Sequence, residues 1–186
     1  MSVLLVPGLR DESPAHWQSL LAARLPNARA LPARGKENID LDARIDEIES
    51  AVSTAKMPVV IVAHSAGSIA TIHWLLRTRL KPLGVLLATP PTFASALPPE
   101  YPSLAEFKKA GWLPLPQARL TAPCIVAASR DDPLGPFGSV GALAHSWGAE
   151  LVDLGEVGHL NPASGYGEWD QAVPLIRSLV GLEVKA

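Results

Sequence analysis

The residue with the clearest chemical potential in this sequence is Ser65. It follows an apolar run at residues 58–63 that contains four consecutive β-branched residues, and small residues come after it. The pattern predicts a buried parallel strand that turns sharply into a helix, with the serine at the corner in a strained backbone conformation. Ala63 and Gly67 are small enough for strand and helix to converge, although glycine is more usual at the first position. Such a corner would expose a hydroxyl for nucleophilic attack.

A serine hydroxyl is a weak nucleophile and needs a base within hydrogen-bonding distance. Among the five histidines, His159 is the best candidate, because it lies in a glycine-containing loop after the last predicted strand. That loop should open at the same sheet edge as Ser65, although a solvated loop histidine is the alternative. Structural roles are favoured for the other four histidines: His16, His64, His73 and His145. His16 and His64 could also border a pocket.

The base in turn needs an acid to orient it. Asp131 and Asp132 directly follow the fifth predicted strand, and Pro133 stiffens the chain after them. Asp132 is the preferred acid and Asp131 the alternative, while a simple helix-capping turn would also explain the pair. Asp153 is a weaker candidate because it belongs to the neighbouring strand end.

An anionic intermediate formed at Ser65 would require two backbone N–H donors. The N–H of Ala66 lies at the positive end of the predicted helix. The second donor should come from the loop after the first strand, and Leu9 is the best candidate there. The alternative is that Pro7-Gly8, which precedes it, is simply a turn with no role in binding.

The elements that must position these residues alternate between short apolar runs and helical periodicity. Strands are predicted at residues 3–6, 28–31, 59–63, 84–88, 125–128 and 149–152, and helices at 13–24, 41–52, 66–78, 103–111, 137–147 and about 169–180. Right-handed crossovers favour an all-parallel sheet of order 2-1-3-4-5-6 with helices on both faces. We expect one α/β domain over residues 1–186, with ligands at the carboxyl edge of the sheet.

A proline-rich segment at residues 90–116 interrupts this alternation. Phe93 and Trp112 lie in it, and we expect both to border the pocket together with Trp17 and Phe137. Core packing explains each aromatic residue equally well when it is considered singly.

Composition excludes several classes of protein. The 186 residues carry a net charge of −2, with basic residues scattered along the chain, so neither a nucleic-acid partner nor an anionic membrane is expected. The single cysteine, Cys124, lies in an apolar run and is expected to be a buried structural thiol in a cytoplasmic protein. No signal segment, metal-binding motif, dinucleotide fingerprint or phosphate-binding loop is found, so no metal or cofactor is expected.

Taken together, these residues and the short motifs around them resemble the small serine hydrolase family that includes the retinoblastoma-binding serine hydrolase and YdeN-like bacterial proteins. The matching strings span nearly the whole chain: Val6-Pro7-Gly8, His16-Trp17-Gln18, His64-Ser65-Ala66-Gly67, Asp131-Asp132-Pro133 and Gly158-His159. The resemblance implies a reduced α/β-hydrolase fold, a triad of Ser65, Asp132 and His159, and hydrolysis of ester, amide or thioester substrates. Mammalian members are associated with a pocket-protein partner, and no residues here indicate the same partner.

The sequence therefore predicts a metal-independent serine hydrolase that acts on a small acyl substrate, with carboxylesterase activity favoured. Amidase, aminopeptidase or thioesterase activity from the same residues is an alternative. A further alternative is a non-catalytic binding module that keeps the fold and uses its groove for a ligand.

Overall fold

The core of the structure, a computed structural model that describes residues 1–10, 13–95 and 97–181, is a six-stranded sheet. Its strands are β1 (Ser2–Val6), β2 (Ala28–Ala30), β3 (Val59–His64), β4 (Gly84–Ala88), β5 (Cys124–Ala128) and β6 (Glu150–Asp153). All adjacent pairs are parallel, and the order is β2-β1-β3-β4-β5-β6. The predicted sheet is confirmed, with the strand that precedes Ser65 at its centre.

Helices cover both faces of the sheet, because successive side chains of a strand point to opposite sides. They are α1 (Trp17–Arg24), α2 (Leu41–Ser53), α3 (Ala66–Leu75), α4 (Leu104–Lys109), α5 (Phe137–Trp147) and α6 (Ala172–Leu179). Leu4 and Val6 of β1 pack in the cluster that contains α2, α3 and α5 residues. Val3 and Leu5 pack in the other cluster, which contains α1 and α6 residues.

Helix α1 begins later than its sequence predicts. The sequence predicts a helix over residues 13–24, whereas α1 starts at Trp17 with His16 as its N-cap. The imidazole Nδ1 of His16 accepts a hydrogen bond from the backbone N–H of Gln18 at 3.2 Å, which satisfies one of the free donors of the first turn. A histidine that lies close to Ser65 in the fold is thereby fixed in orientation.

The proline-rich segment contains one short helix, α4, within the range predicted at residues 103–111. Ser103 accepts a hydrogen bond from the backbone N–H of Glu106, whose carboxylate accepts one from the backbone N–H of Ser103. Phe107 of α4 is fully buried, and the indole N–H of Trp112 donates to the carbonyl of Ile39 at 2.8 Å. These contacts attach the segment to the α2–α3 face of the sheet.

Candidate active site

Ser65 occupies a sharp corner between β3 and α3, with φ 54° and ψ −130°. This is the left-handed region, which non-glycine residues rarely adopt, so the predicted backbone strain is present. A serine at the start of a helix normally uses its hydroxyl to cap the helix. The Ser65 side chain makes no capping bond and contacts His159 instead.

The corner requires a small residue at position 67. A Cβ atom on Gly67 would lie 2.4 Å from the carbonyl oxygen of Val6 and 2.6 Å from that of Pro7. Helix α3 therefore approaches the end of β1 so closely that only glycine fits there. Ala63, by contrast, is fully buried in the core with its methyl group accommodated.

The imidazole of His159 links Ser65 to Asp132. Its Nε2 lies 2.8 Å from Ser65 Oγ, and its Nδ1 lies 2.9 and 3.0 Å from the two carboxylate oxygens of Asp132. Because a carboxylate only accepts, Nδ1 carries the proton and Nε2 presents its lone pair to the serine hydroxyl. Both His159 and Asp132 are buried, so this hydrogen-bonded chain is largely shielded from solvent.

The two adjacent aspartates have different surroundings. Asp132 is buried, contacts His159 and also accepts a hydrogen bond from the backbone N–H of Leu134 at 2.9 Å. Asp131 is exposed and accepts hydrogen bonds from Ser129 Oγ and from the backbone N–H of Gly158, both at 2.7 Å. These bonds hold the pKa of the Asp131 carboxyl below its usual value. Asp131 thus holds the loop that carries His159. Asp153, the weaker candidate for the acid, pairs with Arg130.

A second histidine, His64, holds the backbone of the His159 loop. Its Nε2 lies 2.9 Å from the carbonyl oxygen of His159, and the two rings are 5.0 Å apart. Burial and the nearby imidazoles of His159 and His16 lower the pKa of His64 well below 6.5. Sequence reasoning missed this bond, since position 64 precedes Ser65 and gives no signal for a contact 95 residues away.

His16 extends the row of imidazoles. Its ring lies 4.8 Å from that of His64, and burial, with a smaller contribution from His159, lowers the pKa of His16 to about 4. At neutral pH the Nδ1 of His16 accepts from the helix and its Nε2 carries the proton. Its neighbour Gln18 donates to the carbonyls of Val6 and Val62, which ties α1 to the ends of β1 and β3.

The expected anion-binding donors lie next to Ser65. Ala66 is the first residue of α3, where backbone N–H groups have no partner within the helix. For the backbone N–H of Leu9, no acceptor is found among the described residues. A Cβ atom on Gly8 would lie 3.0 Å from Ser65 Cβ and 3.4 Å from its Oγ, so the loop carrying Leu9 passes directly over the serine.

A cavity of about 320 Å³ opens in front of Ser65 and His159. Its lining includes Leu9, Ala66 and two of the predicted binding residues, His16 and Phe93. The other two predicted binding residues, Trp17 and Trp112, are not part of it: both are almost fully buried in the core. Phe137 does not line the cavity either and packs against the α5 side of the core.

The described part of the chain lacks the features of a metal site and of a membrane-spanning helix. Residues 1–10, 13–95 and 97–181 contain no group of three or more His, Cys, Asp or Glu side chains that could hold a metal ion. Within the same residues, no helix is long and apolar enough to cross a membrane.

Comparison with known proteins points to one family. A family model described as serine hydrolase matches residues 3–178. A putative YdeN-like hydrolase from Pectobacterium atrosepticum is 29% identical, with a TM-score of 0.81 over 97% of this chain and 91% of that chain. No curated protein matches the sequence.

More distant structures share the fold. The ydeN gene product from B. subtilis is 22% identical, with a TM-score of 0.75 over 97% of this chain and 98% of that chain. A monoacylglycerol lipase from Paleococcus ferrophilus is 15% identical, with a TM-score of 0.65 over 96% and 92% of the two chains. The family match over residues 3–178, together with this fold, means that the chain belongs to the serine hydrolase family of α/β-hydrolases.

Proposed function

We propose that the protein is a carboxylesterase-type acyl hydrolase that works through Ser65, His159 and Asp132. The observation that carries the proposal is the hydrogen-bonded chain from Ser65 Oγ through the imidazole to the buried carboxylate, with distances of 2.8 and 2.9 Å. Ser65, at one end of this hydrogen-bonded series, lines a cavity of a size suited to a small molecule. Nucleophile, base and orienting acid are the three parts that acyl transfer requires.

In the first half of the reaction, Ser65 Oγ attacks the carbonyl carbon of the ester while His159 Nε2 takes the hydroxyl proton. Asp132 accepts a hydrogen bond from Nδ1 and stabilises the imidazolium that forms. The tetrahedral intermediate then expels the alcohol, which receives the proton from Nε2. The acyl group remains on Ser65.

In the second half, a water molecule gives a proton to His159 Nε2 and attacks the acyl-enzyme. Collapse of the second tetrahedral intermediate returns the proton to Ser65 Oγ and releases the carboxylic acid. In both intermediates the backbone N–H groups of Leu9 and Ala66 would donate to the oxyanion, and α3 adds the positive end of its dipole.

Active-site labelling combined with hydrolysis assays tests this proposal. A fluorophosphonate probe should label the folded protein at Ser65, and Ser65→Ala should remove both labelling and hydrolysis of p-nitrophenyl esters. A loss of about 10³-fold or more in kcat is expected for removal of a serine nucleophile. Ser178→Ala, an exposed serine on α6, is the matched control and should behave as wild type.

Three other results would change the assignment. Ester hydrolysis that survives Ser65→Ala would overturn the mechanism. A protein that neither labels nor hydrolyses esters, aminoacyl amides or acyl thioesters would be a binding module. Labelling at Ser65 with faster turnover of amides or thioesters than of esters would keep the mechanism and replace the substrate class.

A further inference from the structure

The cavity is lined by both apolar and polar side chains, and they come from several parts of the chain. An apolar wall is formed by segments that follow β4 and β5: Pro91, Phe93, Leu97, Phe107 and Leu134. Three polar side chains before and in α1, called here the polar wall, also line the cavity beside the apolar residues Ala22, Ala30 and Leu31: Ser13, His16 and Ser19. A substrate that fills the cavity would therefore have one apolar part and one part that forms hydrogen bonds.

Among the residues that the structure describes, the polar wall carries no unpaired charge. His16 is neutral at physiological pH, because its pKa is about 4. Arg10 also lines the cavity, but its guanidinium donates to the hydroxyl of Tyr101 at 2.7 Å and lies 3.5 Å from the carboxylate of Glu100. An uncharged polar group suits this wall better than an anion.

The helix cap determines which atom of His16 is available to a ligand. Nδ1 accepts from the backbone N–H of Gln18 and must be unprotonated, so the neutral ring has its proton on Nε2. Contact between the rings of His16 and His64 further restricts how the imidazole can turn. His16 thus offers one N–H donor of fixed direction, and the hydroxyls of Ser13 and Ser19 can donate or accept beside it.

Other polar atoms of an ester already have partners in the proposed reaction. Its carbonyl oxygen would be bound by the N–H groups of Leu9 and Ala66, and its alcohol oxygen receives the proton from His159. The Nε2 proton of His16 has no acceptor among the described residues, so it is available to a further acceptor in the substrate. A free hydroxyl on the alcohol part provides one, and its own proton could be donated to Ser13 or Ser19.

We propose that the polar wall binds the alcohol part of an ester, that His16 donates a hydrogen bond to a free hydroxyl on that alcohol, and that the substrates are apolar acyl esters of hydroxylated alcohols. The proposal rests on the esterase function proposed above. The cavity volume of about 320 Å³ lies at the small end of the range typical of small-molecule sites. This favours short acyl chains.

A pair of esters and a pair of variants test the proposal. Glycerol monobutyrate and n-propyl butyrate have the same carbon skeleton and differ in two hydroxyl groups, and titration of the released butyric acid gives kcat/KM for each. The wild type should prefer the glycerol ester by about tenfold, the worth of one to two net hydrogen bonds. The preference should appear mainly in KM.

His16→Asn separates binding from helix capping, because asparagine is among the best N-cap residues but lacks the imidazole. The ratio of kcat/KM for the glycerol ester to that for the propyl ester should fall to between about one and three. The midpoint of thermal unfolding should stay within a few degrees of wild type. His145→Asn makes the same chemical change at an exposed position of α5 and should keep the full preference. His16→Ser provides a second capping side chain should the asparagine variant fold poorly.

The possible outcomes distinguish this inference from the function on which it rests. Equal turnover of the two butyrates by the wild type would overturn the inference and leave the esterase function intact. A glycerol-ester preference that persists in both folded His16 variants would do the same. Failure to hydrolyse either ester, together with no fluorophosphonate labelling of Ser65, would overturn both.

Discussion

His64 donates a hydrogen bond from its Nε2 to the backbone carbonyl of His159, with a nitrogen–oxygen distance of 2.9 Å. The residue that precedes the proposed nucleophile thereby holds the loop that carries the proposed base. Both residues are buried, so the bond is protected from competing water. Two parts of the chain that must keep a fixed separation are joined directly.

Replacement of His64 should therefore reduce activity through the position of His159. His64→Leu leaves a buried carbonyl without its donor, which should lower the free energy of unfolding by about 1–3 kcal/mol and kcat by about tenfold. His64→Gln keeps an N–H donor of similar reach and should recover much of both losses. Urea unfolding and ester turnover measure the two effects. Equal losses in both variants would show that the ring acts through packing and not through the hydrogen bond.

The adjacent aspartates should differ sharply in their effect on catalysis. Asp132→Asn removes the carboxylate beside His159 Nδ1 and should lower kcat by about 10³- to 10⁴-fold, because the imidazole loses both its orientation and its stabilising charge. Asp131→Asn keeps an oxygen that accepts from Ser129 and Gly158, so its kcat should stay within about tenfold of wild type. The reverse order of effects would identify Asp131 as the acid.

Features determined by local sequence were predictable. The strand positions and the corner at Ser65 follow from hydrophobic patterns within a few positions of each other. The strand order follows from the handedness of the connections between the strands. His159 could also be singled out, because a loop after the last strand of a parallel sheet opens at the edge where Ser65 lies. In these cases neighbouring residues and sheet topology carry the information.

Features determined by distant contacts were not predictable. The sequence favours Asp132 because Pro133 follows it, but it leaves Asp131 as an alternative, since the direction of one turn determines which carboxylate faces His159. Trp112 was expected in the pocket, but its indole donates to the carbonyl of Ile39, 73 residues away, and the ring is buried. Residue type alone does not distinguish an aromatic core residue from a pocket residue. The role of His64 depends on a similarly distant partner.

Two glycines near Ser65 should respond differently to an added methyl group. Gly67→Ala places a Cβ 2.4 Å from a backbone oxygen of β1 and should lower the free energy of unfolding by about 1–3 kcal/mol or more. Gly8→Ala brings a methyl group 3.0 Å from Ser65 Cβ, so it should reduce kcat more than it reduces stability.

Gly138→Ala is the matched control for both substitutions. It lies in α5 with no atom within 4 Å of its added Cβ, and alanine should stabilise the helix by about 0.5–1 kcal/mol. Chemical denaturation and ester turnover of the three variants test this ranking. A Gly67→Ala protein as stable as wild type would contradict the close approach of α3 to β1.

The buried imidazoles should make the protein less stable in acid. The pKa of His64 lies well below 6.5 and that of His16 is about 4, and burial is the main cause in both cases. Between these values and about pH 6.5 the unfolded chain binds more protons than the folded one, so the free energy of unfolding falls as pH falls. Each histidine contributes a slope of about 1.4 kcal/mol per pH unit, and its full stabilisation is present only above about pH 6.5.

Urea unfolding of wild type and His64→Gln between pH 7.5 and 4 isolates the part due to His64. The variant should lose stability less steeply below about pH 6.5, by up to about 1.4 kcal/mol per pH unit, because glutamine does not titrate. His145→Gln, on the exposed face of α5, should retain the wild-type slope. Identical slopes in wild type and His64→Gln would mean that His64 binds a proton in the folded protein as readily as in the unfolded chain. That would contradict a buried, neutral imidazole beside His159.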